Sequence, residues 1–288
     1  MKKQLLYLGA PLLMLAGATS ASAALQLQYT FDEASGPDLN TGAALAANGT
    51  LQGGAVRTGN TPSGVGSAVD LITNEAAGGY AHVNTDGDVQ QLDGMSRFTL
   101  STWINLADPG AGSDRLMSKQ AGDAIFSGFM WNINNPVAPG TRANGDVNTG
   151  LFVGGSNGFA FATSDANVNP LDKWIFLAVT YDGTLTENNV TFYSGGVNTP
   201  VTQLGSVRSV NAGTTADSDS RFGVGFTEAA AGVDVSPNGS FDDVRVYDEA
   251  LGLAALEAAR LSNVPEPTSL AALALAGAGI LARRRRQA

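Results

Sequence analysis

The side chains that could carry chemistry in this 288-residue chain are almost all carboxylates. There are 26 Asp and Glu residues, one histidine, His82, and no cysteine. Thiol nucleophiles, thiolate metal sites and disulfides are therefore excluded, and any histidine-dependent site would rest on His82 alone. We interpret His82 as an exposed residue at a strand end. The remaining possibilities are acid–base chemistry on a sugar and binding of a hard cation such as calcium.

Hydrolysis of a glycosidic bond needs two carboxylates that face each other about 5–9 Å apart. We find no strand that would hold such a pair. Asp86, Asp88 and Asp93 lie close together in the sequence, but in a glycine-containing stretch that we interpret as a solvated turn. Catalysis by a carboxylate pair is therefore not predicted, although another arrangement stays open.

The first residues have the pattern of a secretory signal peptide. Two lysines precede an apolar stretch from Leu5 to Ala18, and the small residues Ala21 and Ala23 then occupy positions −3 and −1 of a cleavage site. We predict a signal peptide over residues 1–23, processed by signal peptidase. Cleavage one residue later, after Ala24, is the alternative.

The last residues have three parts in a fixed order. Pro265-Glu266-Pro267 forms a stiff, extended segment, Ser269–Ala282 is uncharged and apolar, and Arg283–Arg286 is strongly basic. An apolar helix of this length spans about 21 Å, less than the roughly 30 Å hydrocarbon core. The segment is therefore suited to transient insertion, with the arginines on the cytoplasmic side.

This tail resembles the PEP-CTERM sorting signal of Gram-negative bacteria that make extracellular polysaccharide, and we assign the signal to residues 262–288. The resemblance implies recognition by an exosortase and removal of the tail near Pro265-Glu266-Pro267. The alternative is an ordinary membrane anchor. In either case the bulk of the chain lies outside the cytoplasm.

Removing both ends leaves an acidic middle. Ten basic side chains remain against 25 acidic ones, for a net charge near −15. Such a surface repels nucleic acids and anionic lipids, so we expect no nucleic-acid partner. The 36 glycines predict short strands with many turns.

The pattern of the segment between the two terminal signals predicts an all-β sandwich. Arg97–Leu106 alternates apolar and polar residues, Lys173–Asp182 is apolar throughout as a buried strand would be, and hairpins are predicted with turns at Asn157-Gly158 and at Gly195-Gly196. A short helix is expected within 249–261. We predict an antiparallel two-sheet architecture.

Four pieces of the middle also match one family pattern in order. They are TFDEASGPDLNTG…NGTL, FTLSTWINL, DKWIFLAVTYDGT and FDDVRVYDEALGLAALEAAR. Together they resemble LamG-like domains of the concanavalin A-like lectin and glucanase superfamily, and we assign this domain to residues 24–261. The resemblance implies a jelly roll whose concave face often binds sugars. The Glu-x-Asp-x-x-Glu triplet of the glucanase branch is absent, so we expect a protein that is not an enzyme.

Calcium is the cofactor that the sequence makes plausible. Asp242 is predicted on the same strand face as Val244 and Val246, where a carboxylate is costly unless it is paired or bound to metal. The family resemblance implies a structural calcium there, with Asp32 and Asp38 as nearby oxygen ligands. The alternative is that Asp242 accepts backbone N–H groups.

Two tryptophans are candidates for stacking on a sugar ring. Trp103 lies opposite the apolar face of its strand, and Trp131 is followed by asparagines. The alternatives are that Trp103 packs beneath a loop or the late helix and that Trp131 belongs to the core.

These observations predict an exported, non-catalytic, lectin-like protein of the cell surface or extracellular matrix that associates with a glycan or exopolysaccharide. The alternatives are a polysaccharide-cleaving enzyme on the same fold and a structural module that binds proteins.

Overall fold

The computed structural model describes residues 23–44, 47–71, 80–108, 113–134, 145–230 and 235–263. These residues form two antiparallel sheets, which we name sheet A and sheet B. Sheet A contains β1 (Leu25–Tyr29), β3 (Val56–Thr58), β4 (Ala68–Asp70), β6 (Arg97–Leu106), β11 (Ile175–Asp182), β12 (Val190–Gly196), β13 (Thr199–Gln203) and β15 (Gly239–Tyr247). Sheet B contains β2 (Gly49–Gln52), β5 (His82–Asp88), β7 (Asp114–Gln120), β8 (Gly128–Asn134), β9 (Asn148–Gly155), β10 (Gly158–Thr163) and β14 (Arg221–Val224).

The strand order is that of a jelly-roll sandwich. Sheet A runs β13-β12-β11-β6-β15-β4-β3, with β1 paired to β15, and sheet B runs β10-β9-β8-β7-β14-β5-β2. A short helix, α1 (Leu253–Leu261), follows β15, and two single 3₁₀ turns occupy Gln90–Leu92 and Glu228–Ala230. The predicted fold class is confirmed.

The main core lies between the two sheets. Phe98, Leu100 and Ile104 alternate along β6 and point into it, where they meet residues of sheet B such as Phe129. A second, smaller apolar cluster covers the outer side of sheet A, where Leu256 of α1 packs. Each sheet therefore buries one face in the sandwich, and α1 covers part of the other face of sheet A.

A β-bulge interrupts β15 at its two aspartates. The register with β6 passes from Asp242 opposite Trp103 to Arg245 opposite Ser101, so β15 holds one extra residue. Asp243 adopts a left-handed backbone conformation with a φ of +50°, which is strained for a residue other than glycine. The bulge breaks the strict alternation that the sequence prediction assumed. Asp242 lies on the outer face of sheet A, on the same side as Trp103, whereas Val244 points into the main core. The predicted face of Asp242 was wrong.

Two other local predictions change. Gly195 and Gly196 belong to β12, and the hairpin turns two residues later, at Val197 and Asn198, because Gly196 pairs with Thr199. Part of the acidic stretch interpreted as a solvated turn is instead strand, because β5 runs from His82 to Asp88.

One end of the sandwich buries a cation. The Nζ atom of Lys119 donates to Asp93 at 2.6 Å and to Ser218 at 2.8 Å, and it pairs with Asp88 at 2.8 Å. Two carboxylates of the acidic stretch interpreted as a solvated turn thus serve as partners of a fully buried lysine. Burial raises the pKa of Asp93, and the Lys119 ammonium opposes that rise.

Candidate functional site

The outer face of sheet B carries aromatic side chains at the edge that β9 and β10 form. These strands make a hairpin, and Gly158 follows its turn with a φ of +100°, a conformation that favours glycine. Alternation along β10 places Phe159 and Phe161 on the side opposite to Ala162, which belongs to the main core. Two phenylalanines of the last strand in sheet B therefore face solvent.

Four phenylalanines meet there, and we name them the phenylalanine cluster: Phe126, Phe152, Phe159 and Phe161. Phe152 stacks on Phe159 with centroids 5.5 Å apart, and Phe126 meets both rings edge-on at 5.8 and 6.0 Å. Phe126, Phe159 and Phe161 are 39%, 57% and 45% exposed. An exposed cluster of aromatic side chains is a candidate binding surface.

Gly154 makes the cluster possible. A Cβ atom there would lie 2.1 Å from the carbonyl oxygen of Phe126 and 2.5 Å from that of Ile125. Ile125 and Phe126 belong to the loop that joins β7 to β8. The backbone of that loop can cross β9 closely only because Gly154 has no side chain. The crossing brings Phe126 against the rings of Phe152 and Phe159.

A polar cavity of about 480 Å³ adjoins the cluster at Phe161. Its lining comprises Phe161, Ala162, Thr163, Val207, Arg208 and Ser209. Arg208 lies 3.6 Å from the carboxylate of Asp165, and both side chains are more than two-fifths exposed, so this pair is weak. Hydrogen bonds from Ser206 hold the pKa of Asp165 below its usual value, with a smaller contribution from the charge of Arg208. The guanidinium of Arg208 therefore stays accessible to a ligand in the cavity.

This arrangement suits a sugar. The C–H groups on one side of a pyranose or furanose ring match the negative face of an aromatic ring, while guanidinium and hydroxyl groups pair with sugar hydroxyls. None of the described residues that line the cavity is a carboxylic acid. The cavity thus lacks the two carboxylates that glycoside hydrolysis needs.

The tryptophans predicted to stack on sugar do not form this site. Trp103 is 0% exposed and packs against Phe176 in the cluster beneath α1, with its centroid 5.6 Å from that ring. Trp131 is also 0% exposed, lies in the main core and donates from Nε1 to Thr149 Oγ1 at 2.5 Å. Neither indole presents a face to solvent, so their prediction as ligand-binding residues was wrong.

The predicted calcium ligands separate into two places. Asp38 is fully buried and hydrogen bonds to the guanidinium of Arg57, so the protein itself supplies its counter-ion. Burial raises the pKa of Asp38 to about 7 in spite of this pair. The pair does not satisfy the whole carboxylate, because Asp38 Oδ2 is buried without a hydrogen-bond partner among the described residues.

Asp242 and Asp32 do lie near each other. Burial raises the pKa of Asp242 to about 8, opposed by a hydrogen bond from Asn263 and reinforced by the charges of Asp243 and Asp32. Asp32 also accepts a hydrogen bond from the backbone of Ser67 at 2.8 Å. Within the described residues, however, no group of three or more His, Cys, Asp or Glu side chains is placed to hold a metal ion. Calcium at Asp242 remains a prediction that would need backbone carbonyl ligands as well.

His82 begins β5, as its position in the sequence indicated, but it is half-buried rather than exposed. Its ring stacks on Phe226 at 4.9 Å, and Nδ1 lies 2.7 Å from the carbonyl oxygen of Tyr80. Burial lowers the pKa of His82. We see a packing role for this residue.

The processing residues lie mostly beyond the described part of the chain. Ala21 and Pro265-Glu266-Pro267 fall outside it, whereas Ala23 is its first residue. In the ranges that are described, no helix combines the length and apolar character needed to cross a membrane.

Comparison with known families confirms the two resemblances read from the sequence. Residues 76–256 match the concanavalin A-like lectin/glucanases superfamily, and residues 263–286 match the PEP-CTERM protein-sorting motif. No curated protein sequence matches the chain significantly.

Solved structures of the same fold are distant in sequence. Domain 4 of AbnA, an extracellular arabinanase from Geobacillus stearothermophilus solved with arabinotriose, is 16% identical with a TM-score of 0.54, over 83% of this chain and 98% of that domain. The binding domain of botulinum neurotoxin DC, solved with rat synaptotagmin II, is 11% identical with a TM-score of 0.57, over 84% of this chain and 52% of that one. The binding domain of Paraclostridial Mosquitocidal Protein 1 is 15% identical with a TM-score of 0.54, over 83% of this chain and 52% of that one. This chain thus spans about half the length of both toxin domains.

The chain is a member of the concanavalin A-like lectin/glucanases superfamily. It carries in addition a PEP-CTERM motif, the signal for export and sorting to the cell surface.

Proposed function

We propose that this chain is an exported, non-catalytic glycan-binding protein that contacts neutral polysaccharide through the phenylalanine cluster and the adjoining Arg208 cavity. The observation that carries the proposal is the exposed ring of Phe159, stacked on the half-buried Phe152, with the exposed Phe161 beside them as part of the cavity lining. An extended glycan would lie across the rings and place hydroxyl groups within reach of Arg208.

The net negative charge of the domain favours a neutral glycan over an anionic one. At a net charge near −15 the exported part repels polyanions. Other basic side chains among the described residues already form ion pairs with carboxylates, for example Arg221 with Glu228 at 2.7 Å and Arg260 with Glu257 at 2.6 Å. A neutral polysaccharide meets no such repulsion, and a domain of the same fold, domain 4 of AbnA, was solved with arabinotriose, a neutral oligosaccharide.

The proposed processing would place the protein where such a glycan is found. Signal peptidase would remove residues 1–23, the C-terminal segment would insert transiently in the inner membrane, and an exosortase would cleave near Pro265-Glu266-Pro267. The mature domain would then lie at the outer envelope or in the extracellular matrix. Intact-mass measurement of both mature termini, on protein from the cell surface and the medium, tests this route.

A panel experiment separates the proposal from its alternatives. Purified mature protein is tested by affinity electrophoresis against neutral glucans, arabinans and galactans, against a polyuronate, and against exopolysaccharide from the producing cells. We expect retardation by at least one neutral polymer or by the exopolysaccharide, little change with salt, and no release of reducing ends.

Three outcomes would overturn the proposal. Release of reducing ends that an Asp or Glu substitution abolishes would make the protein an enzyme. Binding of the polyuronate alone, lost at high salt, would contradict the neutral class. Absence of retardation by every glycan, with a protein captured instead, would make it a protein-binding module.

A further inference from the structure

The first described residues are tied to the carboxylate of Asp248, which follows β15 directly. The backbone N–H of Ala24 donates to Asp248 Oδ1 at 2.8 Å, and Gln26 Nε2 donates to Oδ2 at 2.8 Å. In return the backbone N–H of Asp248 donates to the carbonyl oxygen of Ala24 at 3.2 Å. Both oxygens of this carboxylate are thus directed at the start of β1.

This point of the chain coincides with the predicted cleavage site. Signal peptidase would hydrolyse the amide between Ala23 and Ala24, adding one water to give a carboxyl group on Ala23 and an amine on Ala24. An α-amino group takes up a proton at neutral pH, since its ordinary pKa is about 7.7–8.0. The atom that donates to Asp248 as a neutral amide N–H would therefore become a cationic –NH₃⁺ group.

We propose that Asp248 is the receptor for the α-ammonium group of the processed chain, so that cleavage converts a neutral hydrogen bond into an ion pair that fixes β1 against β15. The proposal rests on export, which belongs to the proposed function, and is independent of glycan binding. It also selects between the two cleavage sites. Cleavage after Ala24 would remove the donor, because Leu25 already pairs with Tyr247 in the sheet.

The neighbouring charged groups already have partners. Ala23 lines a cavity of about 770 Å³ under α1, together with Arg245, Tyr247 and Glu249. Arg245 donates to Asp243 at 2.8 Å, to the Tyr247 hydroxyl at 3.2 Å and to Ser262 at 2.6 Å.

Glu249 lies 3.7 Å from Arg97. The residues that α1 contributes to the lining of this cavity, Ala255, Ala258 and Ala259, carry no charge. Asp248, at 2.8 Å from the nitrogen of Ala24, is the carboxylate positioned to receive the new amine.

The charge of the new terminus makes the proposal measurable. The ion pair would raise the pKa of the α-amino group in the folded protein above its unfolded value. Its stabilisation is then fully present below about pH 8 and is lost as the pH rises through the raised folded pKa. An Nα-acetylated terminus keeps an N–H donor but has no charge, so it should lack this loss.

The experiment compares processed protein that begins at Ala24 in free-amine and Nα-acetylated forms, each with native Asp248 and with Asp248→Asn. We expect Asp248→Asn to lower the melting temperature of the free-amine form by about 2–4 °C at pH 7 and that of the acetylated form by less. Asp217→Asn, at an exposed aspartate elsewhere, is the matched control and should shift neither form.

A second readout does not depend on stability. Reductive methylation of the α-amine at pH 7 should be several-fold slower in native protein than in Asp248→Asn. A mature terminus at a residue other than Ala24, equal melting shifts in both forms, or equal labelling rates would overturn the proposal. Glycan binding should be the same in Asp248→Asn and native protein, so failure here and failure of the proposed function are distinct results.

Discussion

Phe152 on β9 and Phe159 on β10 stack almost parallel on the outside of the sandwich, with centroids 5.5 Å apart and an interplanar angle of 15°. Both rings belong to one hairpin, so their spacing is fixed by the register of the sheet. Two neighbouring flat rings in this position give a rigid platform for another flat, partly apolar molecule, and such rigidity lowers the entropic cost of binding.

Gly154→Ala should disturb the packing of the phenylalanine cluster. The new methyl group would collide with the backbone of Phe126, and relief of the collision would move that loop and its ring away from Phe152. We expect a loss of about 1–3 kcal/mol in the free energy of unfolding, measured in urea, together with weaker glycan binding. Gly59→Ala, where a Cβ meets no other atom within 4 Å, is the control and should leave both unchanged.

Trp103→Ala should destabilise the protein without affecting its ligand. The indole is fully buried beneath α1, so its removal leaves a cavity that costs about 3–5 kcal/mol of unfolding free energy. Glycan affinity, measured well below the melting temperature, should stay within about twofold of the native value. Loss of affinity at unchanged stability would restore Trp103 as a ligand-binding residue.

Lys119→Met should be strongly destabilising at neutral pH, by about 3 kcal/mol, because it leaves the carboxylates of Asp88 and Asp93 without their cation. Burial already raises the pKa of Asp93, so this group takes up a proton early as the pH falls. The penalty should therefore shrink toward acidic pH, where the uncompensated charges disappear.

Urea unfolding at several pH values measures this dependence, with the exposed Lys173→Met as the matched control. A penalty that is constant between pH 4 and pH 8 would mean that charge at Asp88 and Asp93 does not cause it.

Removal of calcium tests the remaining metal prediction. If Asp242 and Asp32 contribute to a calcium site, a chelator should lower the melting temperature, by about 5–10 °C for calcium at 100 times its dissociation constant. Asp242→Asn should abolish the response, and Asp38→Asn should retain it because Asp38 is paired with Arg57. Identical melting curves in calcium and in chelator would eliminate the site.

The sequence predicted those parts of the fold that depend on local pattern. Arg97–Leu106 is β6 with the expected bounds, and the expected hairpin joins β9 to β10, although its two turn residues are Ser156 and Asn157 and Gly158 already pairs with Gly155. Strict alternation failed at Asp242 and Asp243, because a bulge inserts one residue and nothing local in the sequence marks it.

The candidate site was missed because its parts come from separate stretches. Phe126 joins Phe152 and Phe159 only through a loop that crosses β9 at Gly154, a tertiary contact that no spacing reveals. A signal for the rest was present in GFAFAT, where alternation puts Phe159 and Phe161 opposite the alanines.

Glycan binding by the phenylalanine cluster is tested most directly by the affinity of Phe159→Ala and Phe161→Ala for the polysaccharide that retards the native protein. Each ring should contribute about 0.5–1.5 kcal/mol, so Kd should rise about 3- to 10-fold in each variant and further in the double variant. Leu185→Ala, at an exposed apolar residue elsewhere, should leave Kd unchanged. Unchanged Kd in the folded double variant would contradict the account.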